Sequence, residues 1–286
     1  MPLKEYYRHY LEQLQHIYNL DEASAIAKLL FEEQASLKRS DIVKHPDYVL
    51  PAPVTERLDN ALQRLLQNEP IQYILGETFF CGLKIKVNHH VLIPRPETEE
   101  LASWILEEET GRFVKENYSI LDIGTGSGCI AIALKKNLIA NVSAIDQSAE
   151  ALATAKENAA ANETDIHFIQ LDFLSEDQWQ KLPSFDIIVS NPPYIPVSEE
   201  EKMDKNVTLF EPHAALFVPA DSPLLFYEKI ARFATAHLKP GGKIFAELHE
   251  EYANATGHLF SKTFSNVEVK KDMSGKNRML KANQFR

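Results

Sequence analysis

Asn191-Pro192-Pro193-Tyr194 directly follows the apolar run Phe185-Asp186-Ile187-Ile188-Val189-Ser190. The two prolines fix the backbone φ and carry no N–H, which leaves the Pro192 carbonyl free to point into a pocket. Asn191 adds a side-chain carbonyl as a second acceptor. Two converging acceptors suit an NH2 group, and Tyr194 offers a flat face to a planar one. Adenine N6, cytosine N4 and a glutamine side-chain amide all meet that description. We take Asn191, Pro192 and Tyr194 as the catalytic candidates. Asn191, Pro192, Pro193 and Tyr194 together form the candidate substrate site.

A second cluster, Leu121-Asp122-Ile123-Gly124-Thr125-Gly126-Ser127-Gly128, reads as a strand end, a turn and a helix start. Glycines there let the chain turn tightly and let a ligand approach with no Cβ in the way. Asp146 falls at the end of the next apolar run, where a carboxylate can accept from both ribose hydroxyls of a nucleoside. Loop and acid together imply an adenosine-containing ligand. A dinucleotide fingerprint, Gly-x-Gly-x-x-Gly, fits poorly: the third glycine is one position early, and an acid, Asp122, precedes the loop.

The Asp-x-Gly-x-Gly-x-Gly form resembles motif I of the class I S-adenosylmethionine-dependent methyltransferases. That resemblance implies S-adenosyl-L-methionine as cofactor and S-adenosyl-L-homocysteine as product. It places Asp122 near the ammonium of the methionine part and gives Gly124, Thr125, Gly126, Ser127, Gly128 and Asp146 to cofactor binding. Asp172 and Phe173 fall where such enzymes surround the adenine, and Asn191 borders the cofactor as well. The chemistry is then an in-line displacement at a sulfonium methyl. An amide nitrogen is a poor nucleophile because its lone pair is delocalised. Hydrogen bonds from its two N–H groups to Asn191 and Pro192 raise its electron density and aim it. Positioning of this kind can supply up to roughly 7–11 kcal/mol in the best oriented systems. The reaction needs no metal, no covalent intermediate and no strong base before transfer.

The elements that hold these groups follow from periodicity. Residues 1–70 read as helices, with Tyr7, Tyr10, Leu11, Leu14, Ile17 and Tyr18 at spacings of three and four on one face. Asp21 is the expected N-cap of a second helix carrying Ile26, Leu29, Leu30 and Leu37. Pro51-Ala52-Pro53 reads as loop, and a further helix is expected from Thr55 to before Pro70. Leu83, Ile85 and Val87 alternate with Lys84 and Lys86, which predicts a hairpin over residues 77–93. From residue 97 helices alternate with apolar strands at 119–123, 142–146, 166–171, 186–190 and 243–248. Helices are expected at 97–109, 128–137, 148–162 and 222–238. This order predicts an α/β, Rossmann-like, doubly wound sheet. Residues 267–269 and 279–283 add an antiparallel edge hairpin. The expected domains are 1–76, helical and substrate-recognising; 77–95, a β-hairpin linker; and 96–286, the methyltransferase domain.

Length and charge narrow the rest. At 286 residues, about two domains are expected. Cys81 and Cys129 are too few for a disulfide framework or a cysteine-rich metal site. The start, Met1 to Tyr6, lacks the apolar core of a secretory signal, and no run is long and apolar enough to span a membrane. A cytoplasmic monomer is expected. The net charge is -11, divided as 8 basic and 11 acidic side chains over residues 1–76 and 22 and 30 over 77–286. Neither part has the basic excess of a nucleic-acid clamp. This disfavours the principal alternative, an adenine N6 or cytosine N4 methyltransferase sharing the same Asn-Pro-Pro-Tyr chemistry. A non-catalytic nucleotide-binding module is disfavoured by the intact Asn191 and Tyr194.

Three further stretches occur in order: Pro70-Ile71-Gln72-Tyr73-Ile74-Leu75-Gly76, Val91-Leu92-Ile93-Pro94-Arg95-Pro96-Glu97-Thr98-Glu99, and Glu211-Pro212-His213-Ala214-Ala215-Leu216. With Asn191 to Pro196 they closely resemble the PrmC/HemK family, the release-factor glutamine methyltransferases. The likeness runs from about residue 70 to 250. It implies transfer of a methyl group to N5 of the glutamine in the Gly-Gly-Gln motif of class I peptide-chain release factors. It also implies that Arg95, Glu97 and Thr98 lie near the site mouth. The chain departs from the family after Leu216, where Phe217 to Leu224 lack the usual glycines, and at Glu247-Leu248-His249, which lacks a following glycine.

Overall fold

The computed structural model describes residues 1–109 and 118–286. Two compact units emerge. One gathers Met1–Gly76 with Asp204–Phe210, and the other holds Glu77–Met203 with Glu211–Arg286.

The first unit is helical: α1 (Leu3–Leu14), α2 (Leu20–Ala35), α3 (Arg39–Lys44), α4 (Ala52–Leu66) and α5 (Ile71–Leu75). The buried face of α1 is Leu3, Tyr6, Tyr10 and Leu14, while Ile17 lies beyond the helix end and is exposed. Tyr10 and Tyr7 meet Phe31 of α2 edge-on, with ring centroids 5.4 and 5.0 Å apart. The polar ends of the stripe are satisfied. Tyr10 donates to the Leu58 carbonyl at 2.9 Å and Tyr6 to Asp59 at 2.6 Å. A buried phenol with a partner costs little, so tyrosine serves here as a core residue.

Two expectations are corrected. Asn19, not Asp21, caps α2, its side chain accepting from the Glu22 N–H at 3.0 Å. Asp21 instead sits in the first turn, where an acid favours the helix dipole. Helix α4 starts at Ala52 rather than Thr55, because Pro53 is in the first turn, where its missing N–H costs nothing.

The second unit opens with hairpin β1 (Glu77–Phe80) and β2 (Leu83–Lys86), turned through Cys81-Gly82 and shorter than the expected 77–93. Asn158, fully buried, accepts from the Lys86 N–H and donates to the Lys86 carbonyl, at 2.7 and 2.9 Å, so the hairpin is stapled to the unit's interior. The chain continues through α6 (Pro96–Glu109), β3 (Ser119–Ile123), α7 (Cys129–Asn137), β4 (Asn141–Asp146), α8 (Ala149–Ala161), β5 (Ile166–Gln170) and β6 (Phe185–Ser190). A short parallel pair, β7 (Ile195–Pro196) and β8 (Phe217–Val218), encloses α9 (Lys205–Thr208) and α10 (His213–Leu216) in sequence. Then come α11 (Leu225–His237), β9 (Leu238–Glu247), α12 (Ala253–Ser261), β10 (Phe264–Lys271) and β11 (Asn277–Phe285).

Seven of the described strands form one sheet, in the order β10-β11-β9-β6-β3-β4-β5. Strands β5, β4, β3, β6 and β9 are parallel, and β11 and β10 are antiparallel. The central strands are buried on both faces, which is why they read as near-continuous apolar runs. Strand β9 is longer than the expected 243–248. It begins at Leu238, and its register with β6 slips where Pro240-Gly241-Gly242 intervenes. Chain order runs from β3 outward to β4 and β5, then returns to β6 on β3's other side. The carboxyl ends of β3 and β6 therefore flank the topological switch point, where an open α/β sheet has its crevice.

Candidate active site

Both motifs read from the sequence leave the sheet at that crevice. Gly124, Gly126, Asp146, Asp172, Phe173, Asn191, Pro192 and Pro193 line one cavity there. Its remaining wall is largely apolar, including Val91, Leu92, Ile123, Ile145, Leu171, Pro212 and Phe226.

The glycine loop is held by its own backbone and by β4. Gly124 and Thr125 N–H both donate to the Ile145 carbonyl, at 2.9 and 3.0 Å. Gly126 N–H donates to Asp146 Oδ2 at 2.9 Å, and Ser148 N–H donates to Asp146 Oδ1 at 3.0 Å. Asp146 therefore shapes the loop and faces the cavity at once. The glycines divide their work. Gly124 and Gly126 have φ of +70° and +54°, and a Cβ on either would meet nothing within 4 Å, so both border open space. A Cβ on Gly128 would come within 3.1 Å of the Ala155 Cβ. That glycine admits α8 against α7.

Asp122, Thr125, Ser127, Gly128 and Tyr194 are not in the cavity wall. Asp122 is 0% exposed beneath the loop, its Oδ2 accepting from Thr125 Oγ1 at 2.7 Å. Its Oδ1 is buried and has no hydrogen-bond partner. Burial pushes its carboxyl up to about 7, against the opposing pull of the Thr125 hydroxyl. The folded state thus holds this proton more tightly than the unfolded chain, so stability falls as pH rises from about 4 to about 7. We expect this one group to cost on the order of 2–4 kcal/mol across that window. Asp122→Asn should flatten that part of the profile in urea melts at pH 5 and pH 8; an unchanged slope would place the titration elsewhere.

Asp172 accepts from Leu174 N–H and Ser175 Oγ, at 3.0 and 2.7 Å, and so forms a side-chain turn. Phe173 borders the cavity, but its ring is buried and stacked on Trp179 with centroids 5.4 Å apart. It is a core residue with one edge at the wall. Tyr194 is turned toward Glu247, donating to Oε1 at 2.9 Å, and is packed edge-on to His249. Burial drives its phenol well above the ordinary range, with the Glu247 charge adding to the shift.

The resemblance put Arg95 and Thr98 near the site mouth, but the partners they find there, Glu211 and Glu247, were missed. Asn191 Nδ2 donates to Thr98 Oγ1 at 3.0 Å, and Thr98 Oγ1 donates to Glu247 Oε2 at 2.7 Å. Tyr227, also buried, donates to the Glu247 carbonyl at 3.0 Å. Among the described residues no donor is bonded to Asn191 Oδ1 or to the Pro192 carbonyl. Glu211, buried, accepts from the Ile93 N–H at 3.1 Å and pairs with Arg95 through its other oxygen. That pairing fastens two stretches of cavity wall, His90 to Leu92 and Pro212 to Ala215, to each other. Glu211→Ala strands both partners, and we expect a loss of about 2–3 kcal/mol, less than for a fully buried pair because Arg95 is one-third exposed. Urea unfolding measures it, and a loss below about 0.5 kcal/mol would deny the clamp its weight.

A doubly wound sheet of this order, closed by an antiparallel hairpin and carrying a glycine turn and an acid at the switch point, defines a class I, Rossmann-like methyltransferase. Residues 104–214 match the Methyltransferase small domain family, and residues 5–76 match the PrmC N-terminal domain. The chain is 45% identical over 285 residues to the release factor glutamine methyltransferase of Flavobacterium psychrophilum, covering 99% of each chain. It is 42% identical over 275 residues to that of Bacteroides thetaiotaomicron, covering 96% of this chain and 97% of the relative. The chain belongs to the family of release factor glutamine methyltransferases. By fold alone it also resembles the Thermus thermophilus 16S rRNA N2 G1207 methyltransferase, with a TM-score of 0.51 and 17% identity over 73% of this chain and 49% of the other. No described helix is long and apolar enough to cross a membrane.

Proposed function

We propose that the protein transfers a methyl group from S-adenosylmethionine to the side-chain amide nitrogen of the glutamine in the Gly-Gly-Gln motif of a class I release factor. The observation that carries this reading is that the glycine loop with Asp146 and the acceptor pair Asn191 and Pro192 border one cavity. The residues fit the cofactor. The space over Gly124 and Gly126 is open, and Asp146 stands at the wall as an acceptor for ribose hydroxyls. Asp122 lies buried beneath the loop, outside the cavity wall, and supports the turn through the Thr125 hydroxyl. When bound, S-adenosylmethionine supplies an electrophilic methyl on a sulfonium.

The chain's own residues do the rest. Asn191 Oδ1 and the Pro192 carbonyl accept the two N–H bonds of the substrate amide. Those bonds localise the nitrogen lone pair and fix its direction. Pro193 shapes the adjoining wall. Tyr194, tied to Glu247, braces the turn rather than presenting its whole ring to the cavity. The apolar wall excludes water, which strengthens each of these polar contacts. The proton leaves after transfer, when the N-methylated amide nitrogen is acidic. Peptide mass spectrometry of a release factor incubated with enzyme and cofactor should place one methyl on the Gly-Gly-Gln glutamine; a methyl on another residue would refute the substrate assignment.

The helical unit of residues 1–76 is assigned to gripping the release factor and 96–286 to catalysis, with 77–95 as the linker in sequence that is itself packed on the catalytic part and lines its cavity through Val91 and Leu92. The match of residues 5–76 to a domain found with this family supports that division. Hydrogen exchange on the full chain should show release-factor protection in α1 to α5. Protection confined to the second unit would contradict the assignment.

A further inference from the structure

We infer that Thr98, held by Glu247, is a positioning residue that sets which way round the Asn191 amide stands. The inference rests on the reading that Asn191 accepts from the substrate amide. An asparagine amide is nearly symmetric in shape but opposite in hydrogen bonding at its two ends. Turned one way, it presents an acceptor to a substrate NH2. Turned the other way, it presents its own NH2, and two donors face each other. Nothing in the Asn-Pro-Pro-Tyr turn itself chooses between them.

Thr98 makes the choice. Its hydroxyl has one proton, and with Glu247 ionised that proton goes to Glu247 Oε2, 2.7 Å away. The Thr98 oxygen can then only accept, and it accepts from Asn191 Nδ2 at 3.0 Å. The amide nitrogen is thereby occupied, and Oδ1 is the end left over for a ligand. Glu247 enforces the polarity of the relay. It is buried at the carboxyl end of β9, and each of its oxygens accepts from a hydroxyl, Thr98 on one and Tyr194 on the other. Flipping the Asn191 amide would set its oxygen against a threonine lone pair in a buried place, which is costly. Tyr227 donating to the Glu247 carbonyl at 3.0 Å holds the end of that strand.

The test is steady-state methylation of a purified release factor by the full-length enzyme, with cofactor affinity measured by calorimetry and folding by thermal melting. Thr98→Val keeps the side-chain shape and removes the hydroxyl. We expect kcat to fall roughly 10–100-fold, with KM for the release factor and Kd for S-adenosylhomocysteine within about threefold of wild type. Thr98→Ser keeps the hydroxyl and should stay within about threefold of wild-type kcat. Thr98→Ala provides a second removal should the valine variant melt early. Because Thr98 acts through Asn191, adding Thr98→Val to Asn191→Ala should cost nothing further. Full activity in both hydroxyl-less variants, a serine variant as weak as valine, or additive losses in the double variant would each overturn the inference. Failure of the wild-type enzyme to methylate the release factor is a separate result, and it would strike the reading beneath it.

Discussion

Asn191→Ala lowers kcat for release-factor methylation by roughly 10²–10³-fold while cofactor affinity stays within about threefold. The size follows from what the side chain supplies. An acceptor already fixed in place needs no reorganisation as the nitrogen rehybridises, and removing one such preorganised polar group typically costs that much. Cofactor affinity is spared because another part of the cavity wall, Gly124, Gly126 and Asp146, is assigned to the nucleoside. Calorimetry and single-turnover kinetics separate the two effects. Lost cofactor affinity as the sole defect would contradict the role given to Asn191.

Asp146→Ala has the opposite signature. We expect S-adenosylmethionine affinity to fall by about 10²-fold or more, with a smaller loss in kcat at saturating cofactor. Two losses add in this variant. The ribose hydroxyls lose a charged acceptor, and the Gly126 and Ser148 N–H groups lose the carboxylate that now receives them at 2.9 and 3.0 Å. Burial raises the Asp146 carboxyl pKa, and the N–H groups of Ser148 and Gly126 oppose that rise. Asp146→Asn keeps the shape and one acceptor and should fall between wild type and alanine. Equilibrium binding checks the pair; an alanine variant binding as wild type would remove Asp146 from the cofactor site.

The site was legible in the sequence where it is built by short stretches of chain. The Gly124 to Gly128 turn and the Asn191-Pro192-Pro193 turn each sit directly at a strand end, so strand periodicity alone placed them at one sheet edge. Asp146 was readable for the same reason. Contacts across long separations were not. Thr98 lies 93 residues from Asn191 and 149 from Glu247, and only the folded sheet with α6 against it brings the three together. Glu211 and Arg95, 116 residues apart, are a second case. A glycine in a motif also has two physical uses, and Gly128 turned out to serve helix packing where Gly124 and Gly126 border the cavity. Phe173 does border the cavity, as its place after β5 implied, but its packing against Trp179 and Phe233 in the core was not readable. At α2 two good caps stood two residues apart, and local sequence does not rank Asn19 over Asp21.

The acidic balance bears on the same question. Both stretches of chain carry excess negative charge, which repels phosphate backbones and leaves a protein substrate as the better fit to the amide-accepting turn. Methyl transfer from radiolabelled S-adenosylmethionine, offered in parallel to a purified class I release factor, to that factor with its Gly-Gly-Gln glutamine replaced by alanine, and to DNA and RNA, tests this most directly. We expect label on the intact release factor alone. Label on nucleic acid with none on the release factor, or equal label on the glutamine-free factor, would contradict it.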